Sequence, residues 1–189
     1  MIDEMKNSTE QEDKFSEKKW FEQNWEHGEL DESKIESIFY FTVIWPIFER
    51  KLCRKKAQMK KDSISLASDY HSILDRGVLN RVFTHFRSRY LYIGGSPTDI
   101  FNAFVFDLSG DNTTKNKYKE EVLTTLGVEN PGSEEKLRAL LYISFRLRNN
   151  LYHGEKETEK LYSQNENFRQ VNMLLLEIIK KFKEKMGKR

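Results

Sequence analysis

Apolar residues recur at three- and four-residue steps over long parts of the chain, which is the period of an amphipathic helix. The clearest case predicts a helix over about 157–185 and consists of Val171, Leu174, Leu175, Ile178 and Phe182. Only three Pro and nine Gly occur in 189 residues, so the turns that a sandwich or barrel needs are sparse. We therefore predict an all-α fold, a helical bundle of four to five longer helices with short accessory helices.

A second long helix is expected near the start of the predicted bundle, with Ser33 as its cap and a bend at Pro46. Its expected core positions are Ile35, Ile38, Phe39, Thr42, Val43, Trp45 and Phe48. Further helices are predicted over about 62–74, 77–92, 117–126 and 133–153. One more should begin at Pro97 with Ser96 as its cap, and its expected buried residues are Ile100, Phe101, Phe104, Val105 and Leu108.

The charge pattern divides the chain unevenly. Residues 1–34 hold eleven Asp and Glu against five Lys and Arg, a charge of −6, and the remainder carries +8. We interpret residues 1–30 as an acidic, partly flexible arm with a short aromatic helix, and residues 31–189 as one helical domain. A basic body attracts polyanions, so nucleic acid is an allowed partner.

The composition also excludes several classes of protein. A lone cysteine, Cys53, cannot form an internal disulfide or a cysteine-based metal site. His27, His71 and His85 lack the spacing of metal ligands and are expected to be surface or packing residues. We expect no metal and no cofactor. The sequence has neither a secretory leader nor an apolar run of bilayer length, so we expect a cytoplasmic protein without membrane contact.

A basic cluster of seven cations within twelve residues is expected to continue the long helix that is predicted to begin at Ser33. It consists of Arg50, Lys51, Arg54, Lys55, Lys56, Lys60 and Lys61. It is open to two interpretations: a solvated helix end whose cations favour the negative pole of the helix dipole, or a nucleic-acid contact.

The helix predicted from Ser133 carries the residues best suited to chemistry. Leu137, Leu141, Phe145, Arg148 and Tyr152 follow one another by three or four positions and so share a face. An arginine that continues an apolar stripe needs a carboxylate, a subunit interface or an anionic ligand. If the helix loosens at Tyr152 and ends at Gly154, His153 can turn back toward Asn149 and Arg148.

The run from Phe145 to Lys156, with Arg148-Asn149-Asn150-Leu151-Tyr152-His153 at its centre, resembles the signature of the HEPN superfamily. In that superfamily an Arg, usually followed by a polar residue, precedes a His near the end of a helix in an all-α bundle. The segment from Phe41 to Glu49 also resembles the first core helix of some members. The resemblance extends over about residues 35–185, which makes the predicted domain HEPN-like.

This resemblance implies a metal-independent endoribonuclease that acts on RNA at the interface of a homodimer. It implies that His153 serves as general base or acid, that Arg148 clamps the phosphate and that Asn149 orients either group. Asn150, Tyr152 and Lys156 are the expected substrate-binding residues, and Glu49 is expected to orient Arg148. The implied setting is a toxin–antitoxin or defence system, with an antitoxin or a nucleotidyltransferase as partner.

Three alternatives stay open at this level. Arg148 and His153 could be an ordinary helix end in which both cations favour the dipole. The domain could be a catalytically inactive HEPN-like module that binds RNA, a nucleotide or a partner protein. The basic cluster could belong to a helical DNA-binding or interaction protein, whose duplex binding would be strongly salt-dependent and independent of His153.

Overall fold

The computed structural model describes residues 16–24, 31–104, 112–152 and 161–187. Contacts group the chain into one unit of residues 1–33 and a second of residues 34–189. Several expectations lie outside the described residues, namely those for the start of the arm and for His27, Val105 and Leu108. The first unit contains helix α1 (Glu17–Asn24), and its Lys18 pairs with Glu32 at 3.4 Å. A short 3-10 turn (Glu32–Lys34) follows at the boundary between the units.

The second unit is built from helices, which confirms the predicted all-α bundle. Their bounds are α2 (Glu36–Leu52), α3 (Met59–Tyr70), α4 (Arg76–Tyr90), α5 (Asp99–Asn102), α6 (Asn112–Gly127), α7 (Ser133–Tyr152) and α8 (Asn165–Met186). In the described residues the only extended pairing is one isolated antiparallel bridge between Leu91 and Pro97. Within the same ranges, no helix combines the length and the apolar character needed to cross a bilayer.

Helix α7 is the central helix of this unit. It packs against α3, α4, α6 and α8, and every residue from Ala139 to Leu147 is buried. Such a helix shows no clean polar face, because neighbouring helices cover it on all sides. Ser144 and Arg146 are the polar and charged residues of this buried stretch. The Ser144 hydroxyl donates to the Leu140 carbonyl at 2.7 Å.

Side-chain contacts fix the directions of the helices around α7. Asn165 Oδ1 accepts the Ser37 N–H at 2.9 Å and Leu52 and Phe182 line one cavity, so α2 and α8 run in the same direction. Helices α3 and α7 run in opposite directions, because their contacts are extensive and His71, just after α3, lies 3.9 Å from Glu134 in the first turn of α7. The start of α3 therefore lies toward the C-terminal half of α7.

The buried face of α2 differs from the predicted one. Phe39 and Val43 are 52% and 60% exposed, and Thr42 is also exposed, whereas Phe41 and Ile44 are buried. Residues 38–48 are apolar on almost every side of the helix, so periodicity alone cannot choose the inner face. Packing chooses it, since the Phe41 ring lies edge-on to Phe168 of α8 with a centroid distance of 4.8 Å.

Several predicted helix ends were also wrong. Ser33 does not cap α2, because its hydroxyl donates to Asp31 at 2.6 Å and Ile35 takes the cap position. The predicted helix from Pro97 is only the single turn α5, which is capped by Thr98 rather than Ser96 and leaves Ile100 exposed. The last helix begins at Asn165 rather than near residue 157, since a turn at 163–164 precedes it.

The basic cluster does not continue α2 as predicted. Helix α2 ends at Leu52, and α3 begins at Met59 after a six-residue connection. Arg54 and Lys55 in that connection have φ angles of +51° and +66°, a left-handed conformation that no helix continues through. The seven cations therefore lie on two helix ends and on the connection between them.

Candidate functional site

The last two turns of α7 carry the residues that the sequence selected. Arg148, Asn149 and Asn150 are all half-buried there, directly after the fully buried middle of the helix. Arg148 Nη1 donates to Asn149 Oδ1 at 3.1 Å, so the side chains of two of the three predicted catalytic residues are in contact. The amide of Asn149 thereby fixes one end of the guanidinium.

Trp45 of α2 supports the same guanidinium from the side. Arg148 Cζ lies 6.0 Å from the centroid of the Trp45 ring, at the outer limit of a cation–π contact. Phe145, three residues earlier on α7, meets the same ring edge-on at 5.0 Å and an interplanar angle of 87°. Phe145 and Arg148 therefore share a face of α7, as their spacing predicts, and that face is turned toward α2.

Arg146 is the arginine that the sequence reading missed. Its side chain is only 1% exposed, so it is more deeply buried than Arg148. Arg146 Nη2 donates to Asn150 Oδ1 at 2.9 Å. Two signals pointed to this pair: an arginine inside the apolar run that ends at Leu147, and an amide four residues later on the same helix face. The carbonyl oxygen of Asn150, a predicted substrate-binding residue, is thus held by a structural contact.

Glu49 has a contact of its own on α2. Its Oε1 accepts the Ala57 N–H at 2.9 Å, and its main-chain oxygen accepts the N–H groups of Cys53 and Lys55. The carboxylate thereby closes the connection between α2 and α3. Its predicted role in orienting Arg148 stays a prediction.

Three of the predicted site residues fall at or beyond the end of the described helix. Tyr152 is the last residue of α7, and only its backbone belongs to the described structure. His153 and Lys156 lie outside the described residues. The convergence of His153 on Arg148 therefore stays a prediction, as do the substrate-binding roles of Tyr152 and Lys156.

The two described histidines take part in packing contacts, as expected. His71 Nδ1 donates to the Ala67 carbonyl at 2.9 Å, four residues earlier, and His85 Nε2 bonds to Asn167 Oδ1 at 2.8 Å between α4 and α8. Among the described residues, no group of three or more His, Cys, Asp or Glu side chains could hold a metal ion.

The end of α7 can therefore present one permanently charged guanidinium, fixed by an amide and an indole ring, five residues before a histidine in the sequence. A guanidinium does not lose its proton at any physiological pH and offers paired N–H donors to a phosphate. Comparisons with protein-family models, with curated proteins and with solved structures gave no match.

Proposed function

We propose that this protein is a metal-independent endoribonuclease of the HEPN type, which cleaves RNA by attack of a ribose 2′-hydroxyl. The observation that carries the proposal is the held guanidinium of Arg148, which is bonded to Asn149 and lies over Trp45. The His153 that the mechanism needs is five residues further along the chain. The HEPN-like pattern of residues 145–156 supports the same assignment.

Arg148 has the role of phosphate clamp in this proposal. Its guanidinium binds the nonbridging oxygens of the scissile phosphate and stabilises the extra negative charge that develops in the transition state. A guanidinium that is already held by Asn149 and Trp45 loses little conformational freedom on binding, so more of its interaction energy is available in the transition state.

His153 has the role of acid–base group. As a base, its imidazole removes the proton of the 2′-hydroxyl, and the oxygen attacks phosphorus. The bond from phosphorus to the 5′-oxygen breaks, and a protonated imidazole donates a proton to that oxygen. The products are a 2′,3′-cyclic phosphate and a 5′-hydroxyl, so the reaction consumes no water and no redox equivalent.

A homodimer completes the proposed site. Two copies of the motif at one cleft supply two imidazoles, one as base and one as acid, and two guanidinium groups for one phosphate. We place this activity in the cytoplasm, in a toxin–antitoxin or other defence system, with an antitoxin or nucleotidyltransferase as the restraining partner.

Cleavage of a structured RNA in the presence of EDTA tests the proposal. We expect the wild-type protein to cut the RNA, and Arg148→Ala and His153→Ala to lose the activity by about two orders of magnitude or more. The matched control is Arg169→Ala, which removes an exposed arginine of α8 that pairs with Glu166 at 3.5 Å. It should cut like the wild type.

Two results of this cleavage assay would contradict the proposal. Cleavage that persists in purified Arg148→Ala and His153→Ala would come from another site or from a contaminant. Absence of any cleavage by folded, dimeric wild-type protein over a panel of structured RNAs would leave the inactive module as the better account.

One observation favours that second candidate, a HEPN-like module that binds a partner protein. Helix α2 exposes four apolar side chains on the side opposite its buried face, namely Phe39, Tyr40, Val43 and Ile47. Contiguous exposed apolar residues on one helix face are typical of a protein–protein contact. A toxin that is restrained by a partner needs such a surface too, so the cleavage assay is what separates the two candidates.

A further inference from the structure

A groove beside the α2–α3 connection collects much of the basic cluster. A cavity of about 340 Å³ lies between the C-terminal end of α2, one face of α3 and the end of α8. Four of the seven cluster cations line it, namely Lys51, Arg54, Lys56 and Lys61. We call this cavity, together with the adjoining one described below, the basic groove.

Within the described part of the chain, none of these four cations is held in a direct ion pair. Among the described residues, no carboxylate oxygen lies within 4.0 Å of the charged atoms of any of the four, although several other cations form such pairs. Two acids also line the groove. Asp62 is engaged with the structure, since its Oδ2 accepts the Gln58 N–H at 2.6 Å. Asp69 is exposed at the far end.

The connection that carries Arg54 and Lys56 is held in one shape. Arg54 and Lys55 have left-handed φ angles, which non-glycine residues adopt only when the surroundings enforce them. Glu49 supplies that enforcement: its main-chain oxygen accepts the Lys55 N–H at 3.2 Å and its carboxylate accepts the Ala57 N–H. Strained backbone of this kind is often retained where a side chain has to be presented to a ligand.

The basic groove extends beyond the first cavity. An adjoining cavity of about 430 Å³ shares Asp69, Tyr70 and Phe182 with it and continues to Lys185. The Lys185 ammonium lies 4.7 Å from the centre of the Tyr70 ring and donates to the Asp69 carbonyl at 3.1 Å. The groove thus follows α3, which is about 18 Å long, and carries a fifth cation at its end.

We infer that the basic groove binds the phosphates of one RNA strand, as an exosite separate from the Arg148 site. Unpaired cations spread along a groove match a phosphodiester chain better than a compact anion, because successive phosphates can each meet one cation. Since α3 and α7 run in opposite directions, the groove begins toward the Arg148 end of α7. The inference rests on the proposed function in taking RNA as the ligand.

Binding of a labelled single-stranded RNA of about 20 nucleotides to the full-length His153→Ala protein, at several salt concentrations in EDTA, tests this inference. The test variant adds Arg54→Gln, Lys56→Gln and Lys61→Gln, which keep most of each side chain and remove three charges. We expect its affinity to fall by about tenfold or more, and the slope of log affinity against log salt to become shallower by about 2.

The matched control removes three exposed cations elsewhere, in Arg76→Gln, Arg81→Gln and Lys117→Gln. It changes the net charge equally and should lower the affinity by less than about threefold. Equal losses in both triple variants, or no loss in the groove variant, would overturn the exosite. Circular dichroism and thermal unfolding establish that both variants are folded.

The binding assay does not depend on turnover, so the two proposals fail separately. A selective loss of binding in the groove variant, with a wild type that cuts no RNA, supports the exosite and contradicts the nuclease. Unchanged binding in the groove variant, with a wild type that cuts RNA in EDTA, contradicts the exosite and leaves the nuclease intact.

Discussion

Arg148 of α7 and Trp45 of α2 lie with the guanidinium carbon 6.0 Å from the centre of the indole ring. The contact joins the helix that ends at the candidate site to the helix whose last turn carries Arg50 and Lys51, the first two cations of the basic cluster. Trp45 is 2% exposed and also contacts Phe41, Phe48 and Phe145. The position of the guanidinium is therefore tied to the packing of the core.

This relationship predicts different effects for two substitutions of Trp45. Trp45→Ala opens a cavity among three aromatic rings and should lower the free energy of unfolding by about 3–5 kcal/mol. Trp45→Phe should lower the free energy of unfolding by no more than about 1.5 kcal/mol. The smaller ring still fills most of the site, and the substitution removes a buried indole N–H that has no hydrogen-bond partner within the described structure. Urea unfolding of both variants measures the difference.

Trp45→Phe also tests the support of Arg148. A smaller ring weakens the cation–π contact, so RNA cleavage should slow by about two- to fivefold while the protein stays folded. Binding in the basic groove should not change. A variant that cuts RNA at the wild-type rate would mean that the indole ring has no part in positioning the guanidinium.

The buried Arg146–Asn150 pair should act mainly on stability. Arg146→Ala removes a guanidinium that is 1% exposed and leaves the Asn150 carbonyl without this donor, so we expect a loss of about 2–4 kcal/mol. Asn150→Ala should cost about 1–3 kcal/mol. In a double-mutant cycle the two losses should fall short of additive by about 1 kcal/mol, and full additivity would contradict the contact.

Two phenylalanines of α2 form a matched pair for the corrected face of this helix. Phe41→Ala empties a buried site against Phe168 and should cost about 3–5 kcal/mol. Phe39→Ala, two residues earlier and half exposed, should change the free energy of unfolding by less than about 1 kcal/mol. Similar losses of stability in the two variants, measured by thermal unfolding, would mean that Phe39 is buried as the sequence pattern predicted.

Cys53 should react slowly with thiol reagents. Burial, followed by the charges of Asp62 and Glu49, raises the pKa of its thiol well above the ordinary value, and the side chain is 3% exposed. Because the thiolate is the reactive form, a raised pKa leaves the thiol protonated at neutral pH, and the rate should rise with pH. Labelling with iodoacetamide at neutral pH should be slow in the native protein and rapid in denaturant. Rapid native labelling would contradict this environment.

The sequence predicted the helical class and most core helices because their periodicity is strong. It failed where periodicity carries little information. Residues 38–48 are apolar all round, so the inner face of α2 depended on α8 and α7. The connection after Leu52 has no glycine or proline, and its break depends on a carboxylate cap from Glu49, a contact visible only in three dimensions.

The candidate site was predictable in part. The spacing of Phe145 and Arg148 correctly placed both on one face, where they meet the same indole ring. The sequence gave no reason to connect Trp45 with Arg148, since about one hundred residues separate them. The burial of Arg146 has a signal in the sequence, namely its position within an apolar run that ends at Leu147.

The most direct test of the proposed chemistry uses one mapped cleavage site. A short RNA containing that site is compared, in EDTA, with the same RNA carrying a single 2′-deoxyribose on the 5′ side of the scissile phosphate. The account predicts that the unmodified RNA gives a 2′,3′-cyclic phosphate and that the modified RNA is not cut there. Cleavage of both at the same rate would contradict attack by the 2′-hydroxyl and the roles given to Arg148 and His153.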